Sequence, residues 1–213
     1  MSKTILQLDA LRSANAEKSP YTHLVASGVL SDKDKKKLNA DFPEIATPGF
    51  FPLESLGELR GSFKILVHEM QSSELADILS EKLGVDLRGK PSIVTVRKWS
   101  AIKDGPVHND GASKIVTALV YLTENWPEDE EGGRFAVLSS DKGFQDTVTE
   151  VIPSYGMFSC FVRSDNSWHG HKPFAGERRV VQIAWLKSMD DLHRKTRRGR
   201  ISHFLKGLWK KFL

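Results

Sequence analysis

KIVTALVYL, residues 114–122, holds Ile115, Val116, Thr117, Val120 and Tyr121 and contains neither Gly nor Pro. β-Branched and aromatic side chains suit a pleated, half-buried surface and lose rotamer freedom in a helix, so the run reads as a strand. Five similar runs surround it: SIVTVRKW (92–99), RFAVLSS (134–140), DTVTEVI (146–152), GMFSCFV (156–162) and RRVVQIAWL (178–186). Turn chemistry separates them in KDGP (103–106), EDEEGG (128–133) and SDNS (164–167). Short strands at this spacing argue for a sandwich, a barrel or a double-sheet jelly roll.

Ahead of Pro91 the pattern is helical. Ile5, Leu8 and Leu11 keep helical spacing before Pro20, and Ser31 is placed to cap a helix in LSDKDKKKLNADFP (30–43) with an acidic first turn. In SSELADILSEKLG (72–84), Leu75, Ile78, Leu79 and Leu83 form one apolar face, and Gly84 sits where a C-terminal cap belongs. The first ninety residues therefore read as mostly helix and loop. The expected class is α+β: a double-stranded β-helix, or jelly roll, preceded by helices. At 213 residues the chain suits one well-buried core, expected over 1–189, with 190–213 as an appendage.

The net charge of +4 is unevenly placed. Residues 190–213 carry eight Lys/Arg against Asp190 and Asp191, a local +6 that leaves −2 for everything before it. A slightly acidic domain disfavours nucleic acid as a partner. Within the tail, after the basic link HRKTRRGR (193–200), Ile201, Phe204, Leu205, Leu208, Trp209 and Phe212 share one helical face, with lysines opposite. That pattern predicts a C-terminal amphipathic helix. It suits an anionic membrane surface, and its alternatives are docking on its own domain or across a homo-oligomer. The one cysteine, Cys160, cannot form an internal disulfide and sits in an apolar strand, as a core residue would. The N-terminal apolar stretch is broken by Gln7, Asp9 and Arg12, and no apolar run is long enough to span a membrane. A cytoplasmic protein, peripheral on a membrane through its tail, is the expectation.

HND, residues 108–110, raises the question of a metal. In extended backbone His108 and Asp110 point the same way while Asn109 points elsewhere, so both can address one ion. Two imidazoles and one carboxylate on one face of an ion are a common Fe(II) donor set. His169, after the SDNS turn, is placed to be the third ligand.

The set HND, VTALVYLTENWPEDEEGGRF (116–135) and HGHKPFAGERRVVQIAW (169–185) resembles the 2-oxoglutarate- and Fe(II)-dependent dioxygenases, above all the prolyl-hydroxylase-like branch. More loosely it is similar to the Kdo 3-hydroxylases. The resemblance covers roughly residues 92–187. It implies Fe(II) at His108, Asp110 and His169, with 2-oxoglutarate and O2 as cosubstrates. It also implies an Arg nine or ten residues after the third ligand, paired with the far carboxylate of 2-oxoglutarate. Arg178 and Arg179 both qualify and must face opposite ways. Arg179 shares its face with Val181, Ile183 and Trp185, taken as the barrel lining, and is the one favoured. Tyr121 matches a tyrosine that bonds this carboxylate in some relatives, and a half-buried tyrosine with its hydroxyl in water fits equally well. Where the family often has a tyrosine about ten residues before the first histidine, this chain has Lys98 and Trp99. His171 reads as a solvent-facing neighbour of the ligand.

The implied activity is hydroxylation of a C–H bond coupled to decarboxylation of 2-oxoglutarate to succinate and CO2. With the basic, apolar tail, the expected substrate is a lipid-linked sugar, the Kdo of a lipopolysaccharide precursor. A peptidyl-prolyl hydroxylase is the contending enzyme. A non-catalytic jelly-roll binding module is the reading from another class.

Overall fold

The computed structural model describes residues 4–197. Its first part comprises α1 (Leu8–Ser13), β1 (Ala16–Glu17), β2 (His23–Ala26), α2 (Asp32–Ala40), β3 (Phe51–Pro52), α3 (Gly61–Met70) and α4 (Ser73–Leu83). Ser31 caps α2 by accepting from the Lys33 N–H, and Ser72 caps α4 by accepting from the Leu75 N–H. Gly84 ends α4 in the left-handed conformation, φ 71°, as expected of a glycine past the last turn. The first helix begins later than its apolar spacing suggests. Ile5 and Leu6 are extended, their N–H groups donating to the Glu69 carboxylate at 3.0 and 2.7 Å, and Leu6 bridges to Leu30.

Helix α3 is an addition to the sequence reading, and its cap explains why. No side chain next to it caps it; the Ser62 N–H donates instead to the Asp41 carboxylate, 2.6 Å away at the end of α2. Gly61 makes this approach possible, because at φ +47° an added Cβ would lie 2.2 Å from Asp41 Oδ2. A cap supplied from 21 residues away leaves no local signature.

All six expected strands follow, as β4 (Ser92–Ser100), β5 (Lys114–Tyr121), β6 (Phe135–Leu138), β7 (Thr147–Val151), β8 (Phe158–Val162) and β10 (Gly176–Leu186), with a two-residue β9 (His169–Gly170) between the last two. They form a seven-stranded sheet in the order β1-β2-β8-β5-β10-β4-β3 and a three-stranded sheet in the order β7-β6-β9. Each strand pair is antiparallel. This is the expected jelly roll, enlarged at its edges by β1, β2 and β3 from the region expected to be helix and loop.

Strand β10 shows how the layers divide. Its odd-numbered residues Val181, Ile183 and Trp185 join Leu66, Leu79 and Val96 in the core shared with the helices. From the even-numbered side, Val180 packs with Leu119, Tyr121, Phe135 and Phe161 between the two sheets. Helices thus cover one face of the large sheet and the small sheet covers the other. Each fully buried Leu or Phe contributes about 1.5–3 kcal/mol of transfer free energy to this stack. Cys160 belongs to the helix-side core at 1% exposure, and burial pushes its thiol pKa up.

A helical stretch over 189–197 ends the described chain and crosses both the boundary expected at 190 and part of the expected link. Ser188 starts it: its hydroxyl accepts from the Asp191 N–H at 3.2 Å and donates to the Asp191 carboxylate at 2.9 Å, a capping arrangement. The amphipathic helix expected over 201–212 lies outside the described residues. Among the described residues no helix is long and apolar enough to cross a membrane.

Candidate metal and cosubstrate site

The loop between β4 and β5 carries His108 and Asp110, and β9 carries His169. The two histidines are joined through their backbones: His108 N–H donates to His169 O at 2.9 Å and His169 N–H to His108 O at 3.0 Å. Asn109 points away, as period two requires, and fastens the turn that delivers His169. Its amide donates to Ser164 O at 2.7 Å and its carbonyl accepts from the Ser167 hydroxyl at 2.7 Å.

The outcome is a cluster in which one ligand atom each from His108, Asp110 and His169 lies within 4.8 Å of the others. Metal–nitrogen and metal–oxygen bonds run about 2.0–2.2 Å, so one ion spans the cluster with small side-chain adjustments. The protonation pattern fits as well. His108 Nδ1 lies 2.8 Å from Pro106 O and His169 Nδ1 lies 2.8 Å from Ser167 O. A carbonyl can only accept, so both Nδ1 atoms carry the proton and both Nε2 lone pairs are left for an ion. Burial, then the neighbouring His108, pushes His169 down to about 4, which keeps its ring neutral at ordinary pH.

Asp110 is 8% exposed. Burial alone would raise its carboxyl, but Lys114 and His169 nearby, with hydrogen bonds from Lys114 and Thr117, hold it below the usual range. Lys114 Nζ lies 2.5 Å from Oδ1, and the Thr117 hydroxyl donates to Oδ2 at 2.6 Å. Each carboxylate oxygen has two lone-pair sites, so these bonds orient Asp110 without excluding an ion. Phe161 closes the side wall, its ring 4.3 Å from that of His169.

The three candidate ligands open into a cavity of about 300 Å³ between the sheets, with Arg97, Lys114, His171 and Arg178 on its walls. Here the preference between the two arginines reverses. Arg178, 2% exposed, lines the cavity; its Nε donates to Gly133 O at 2.8 Å, and its guanidinium carbon lies 5.5 Å from the centre of the Tyr121 ring. Arg179 faces the other way, donating to Asn39 Oδ1 at 2.6 Å, pairing with Glu177 and lying over Phe42 at 5.2 Å. The alternation of faces is as expected, but the apolar face of β10 belongs to the helices. The side that encloses a polar ligand keeps the polar residues Arg178 and Gln182.

Tyr121 is fully buried, with its hydroxyl 3.2 Å from Ser159 Oγ rather than in water. His171 is 5% exposed rather than solvent-facing, packed against Gly105. Lys98 lies partly exposed near Glu44, and Trp99 donates to Ile45 O at 2.8 Å, so neither takes the place of the family's tyrosine. Arg97, the next residue back on β4, is the one on the cavity wall.

Residues 100–187 match the family model described as the 2OG-Fe(II) oxygenase superfamily. The match supports a dioxygenase chemistry that uses Fe(II), 2-oxoglutarate and O2. No curated protein sequence matches the chain. Among solved structures the chain is similar to a prolyl 4-hydroxylase from Phytophthora capsici, with TM-score 0.52 and 21% identity over 84% of this chain, which spans 60% of that protein's length. A prolyl-4-hydroxylase from Pseudomonas putida gives TM-score 0.51 and 14% identity, covering 84% of this chain and 97% of that one. A prolyl hydroxylase from Trichoplax adhaerens, solved with a hypoxia inducible factor peptide fragment, gives TM-score 0.55 and 13% identity over 77% and 83% of the two chains. At these identities the likeness establishes the fold.

Proposed function

We propose that His108, Asp110 and His169 hold the Fe(II), that Arg178 holds the far carboxylate of 2-oxoglutarate with Tyr121 packed behind it, and that the substrate is a lipid-linked sugar. The observation that carries this is the meeting of three neutral or anionic donors and the buried guanidinium of Arg178 in a single cavity. Bound there, iron supplies O2 activation at the expense of 2-oxoglutarate, which leaves as succinate and CO2 while a substrate C–H becomes C–OH. The protein's residues do the positioning. Thr117 and Lys114 aim Asp110, Pro106 O and Ser167 O fix the two imidazoles, and the Gly133 carbonyl orients the Arg178 fork. His108, the exposed member, stands on the side open to solvent, where a substrate enters.

For the substrate, the Kdo sugar of a lipopolysaccharide precursor at the cytoplasmic face of a membrane is supported by a polar, cationic cavity and by the basic, apolar sequence of 190–213. A peptidyl proline is the second reading, favoured by the likeness to prolyl hydroxylase folds. Succinate formation measured with Kdo-lipid A and with proline-containing peptides, together with a +16 mass shift on the modified molecule, separates them. Stimulation by peptide alone removes the glycolipid.

A further inference from the structure

Arg97 is a buried cation on the cavity wall. It stands on β4 opposite Val180 of β10, is 6% exposed and faces the same cavity as Arg178. Arg178 lies two residues before Val180, within the register shift between β10 and β4, and both guanidiniums line the one cavity. They repel: burial, then the charge of Arg178, pushes Arg97 down to about 10.

Compensation for Arg97 is thin. Its contact with Asp104 is long, 3.5 Å from Nη2, its Nη1 donates to Ser100 Oγ at 3.2 Å, and its Nε has no hydrogen-bond partner among the described residues. His171, next to both arginines, also leaves Nε2 without a partner among the described residues. The Phe50 ring, 4.3 Å from the guanidinium carbon, fixes the plane of Arg97. A buried cation beside a second cation, with an unsatisfied N–H, is tolerated where an anion completes the set.

We propose that Arg97 and Arg178 close on one and the same carboxylate, the far carboxylate of 2-oxoglutarate, approaching it from β4 and β10. Two carboxylate oxygens offer about four lone-pair sites, enough for two guanidinium edges. The inference rests on the role given to Arg178 above and adds a second selectivity element: a 2-oxo acid without the far carboxylate leaves two cations unpaired instead of one. Asp104 becomes the competing anion that shares Arg97 before the cosubstrate arrives.

The test titrates 2-oxoglutarate and 2-oxovalerate, which lacks the far carboxylate, into the full chain. Fe(II)-loaded protein is followed anaerobically by visible absorbance and Zn(II)-loaded protein by calorimetry. Arg97→Gln is expected to weaken 2-oxoglutarate about tenfold, the worth of one charge-assisted contact, and to leave 2-oxovalerate within about twofold. Asp104→Asn, which frees Arg97, is expected to tighten 2-oxoglutarate about two- to fivefold, and Arg97→Lys to retain part of the affinity. An unchanged 2-oxoglutarate affinity in Arg97→Gln overturns the inference, as does an equal loss for both acids. Should Arg97→Gln not fold, unchanged affinities in both Arg97→Lys and Asp104→Asn overturn it. Wild-type affinity in Arg178→Gln sinks the proposed cosubstrate site itself, whereas a silent Arg97→Gln beside a damaged Arg178→Gln sinks only the two-arginine clamp.

Discussion

Replacing Arg178 and Arg179 in turn by Gln separates two adjacent residues, of which the sequence pattern favours Arg179 and the cavity Arg178. Arg178 is 2% exposed, and among the described residues it forms no salt bridge; the Gly133 carbonyl and the Tyr121 ring are its neighbours. Removing one partner of a buried charge pair costs about 3–5 kcal/mol, because the other is left buried and unpaired. At about 1.4 kcal/mol per decade this predicts a roughly 100- to 3,000-fold loss of 2-oxoglutarate affinity in Arg178→Gln. The ligand-free protein should not be destabilised by that change, since a desolvated charge is removed. In the wild type, cosubstrate at 100 times its Kd adds about 2.7 kcal/mol of stability, or roughly 5–10 °C in Tm for a chain of this size. Differential scanning fluorimetry of the metal-loaded protein, with and without 2-oxoglutarate, reads both quantities. Arg178→Gln should lose the ligand-induced rise, and Arg179→Gln should keep it while its baseline falls by up to about 1 kcal/mol, because its pair with Glu177 is partly exposed. The opposite pattern, with the rise lost in Arg179→Gln and kept in Arg178→Gln, would refute the assignment of faces.

Three further substitutions and one truncation test the supports. Thr117→Val removes the hydroxyl that holds Asp110 Oδ2 and should weaken Mn(II) binding, followed by its EPR signal, about tenfold without lowering Tm appreciably; an unchanged signal would deny Thr117 an orienting role. Asn109→Ala cuts both bonds to the 164–167 turn and should cost about 1–3 kcal/mol in urea unfolding together with metal affinity. Loss of stability alone would show that the turn positions nothing at the metal. Gly61→Ala meets both a positive φ and the Asp41 carboxylate and should destabilise by about 2–4 kcal/mol, whereas a neutral effect would contradict the close approach at the start of α3. Removing 198–213, which spares the described helical stretch, should abolish flotation with anionic liposomes; equal flotation of full-length and shortened chains would eliminate the tail as a membrane contact.

The long strands and the His108, Asp110 and His169 cluster were legible because both depend on period two. Alternation along an extended segment puts His108 and Asp110 on one side, and a β-branched run such as 114–122 has few other ways to pack. What escaped depends on pairing at a distance. Strand β9 is two residues long and depends on pairing with β6 on one side and His108 on the other, and α3 takes its cap from Asp41. The preference for Arg179 fails for a different reason: an apolar face identifies a core but not which core, and that of β10 packs on the helices rather than between the sheets. Arg97 could have been found by extending the same alternation along β4, where Arg97 and Thr95 fall opposite Val94 and Val96. A lone arginine in a strand otherwise reads as an edge residue with its head in water.

The central claim is that three side chains hold one iron, and anaerobic addition of Fe(II) and then 2-oxoglutarate tests it most directly. A weak visible charge-transfer band should appear in the wild type, need both additions, and vanish in His169→Ala while the far-UV circular dichroism of that variant stays unchanged. No band in the wild type, or an undiminished band in His169→Ala, would contradict the assignment.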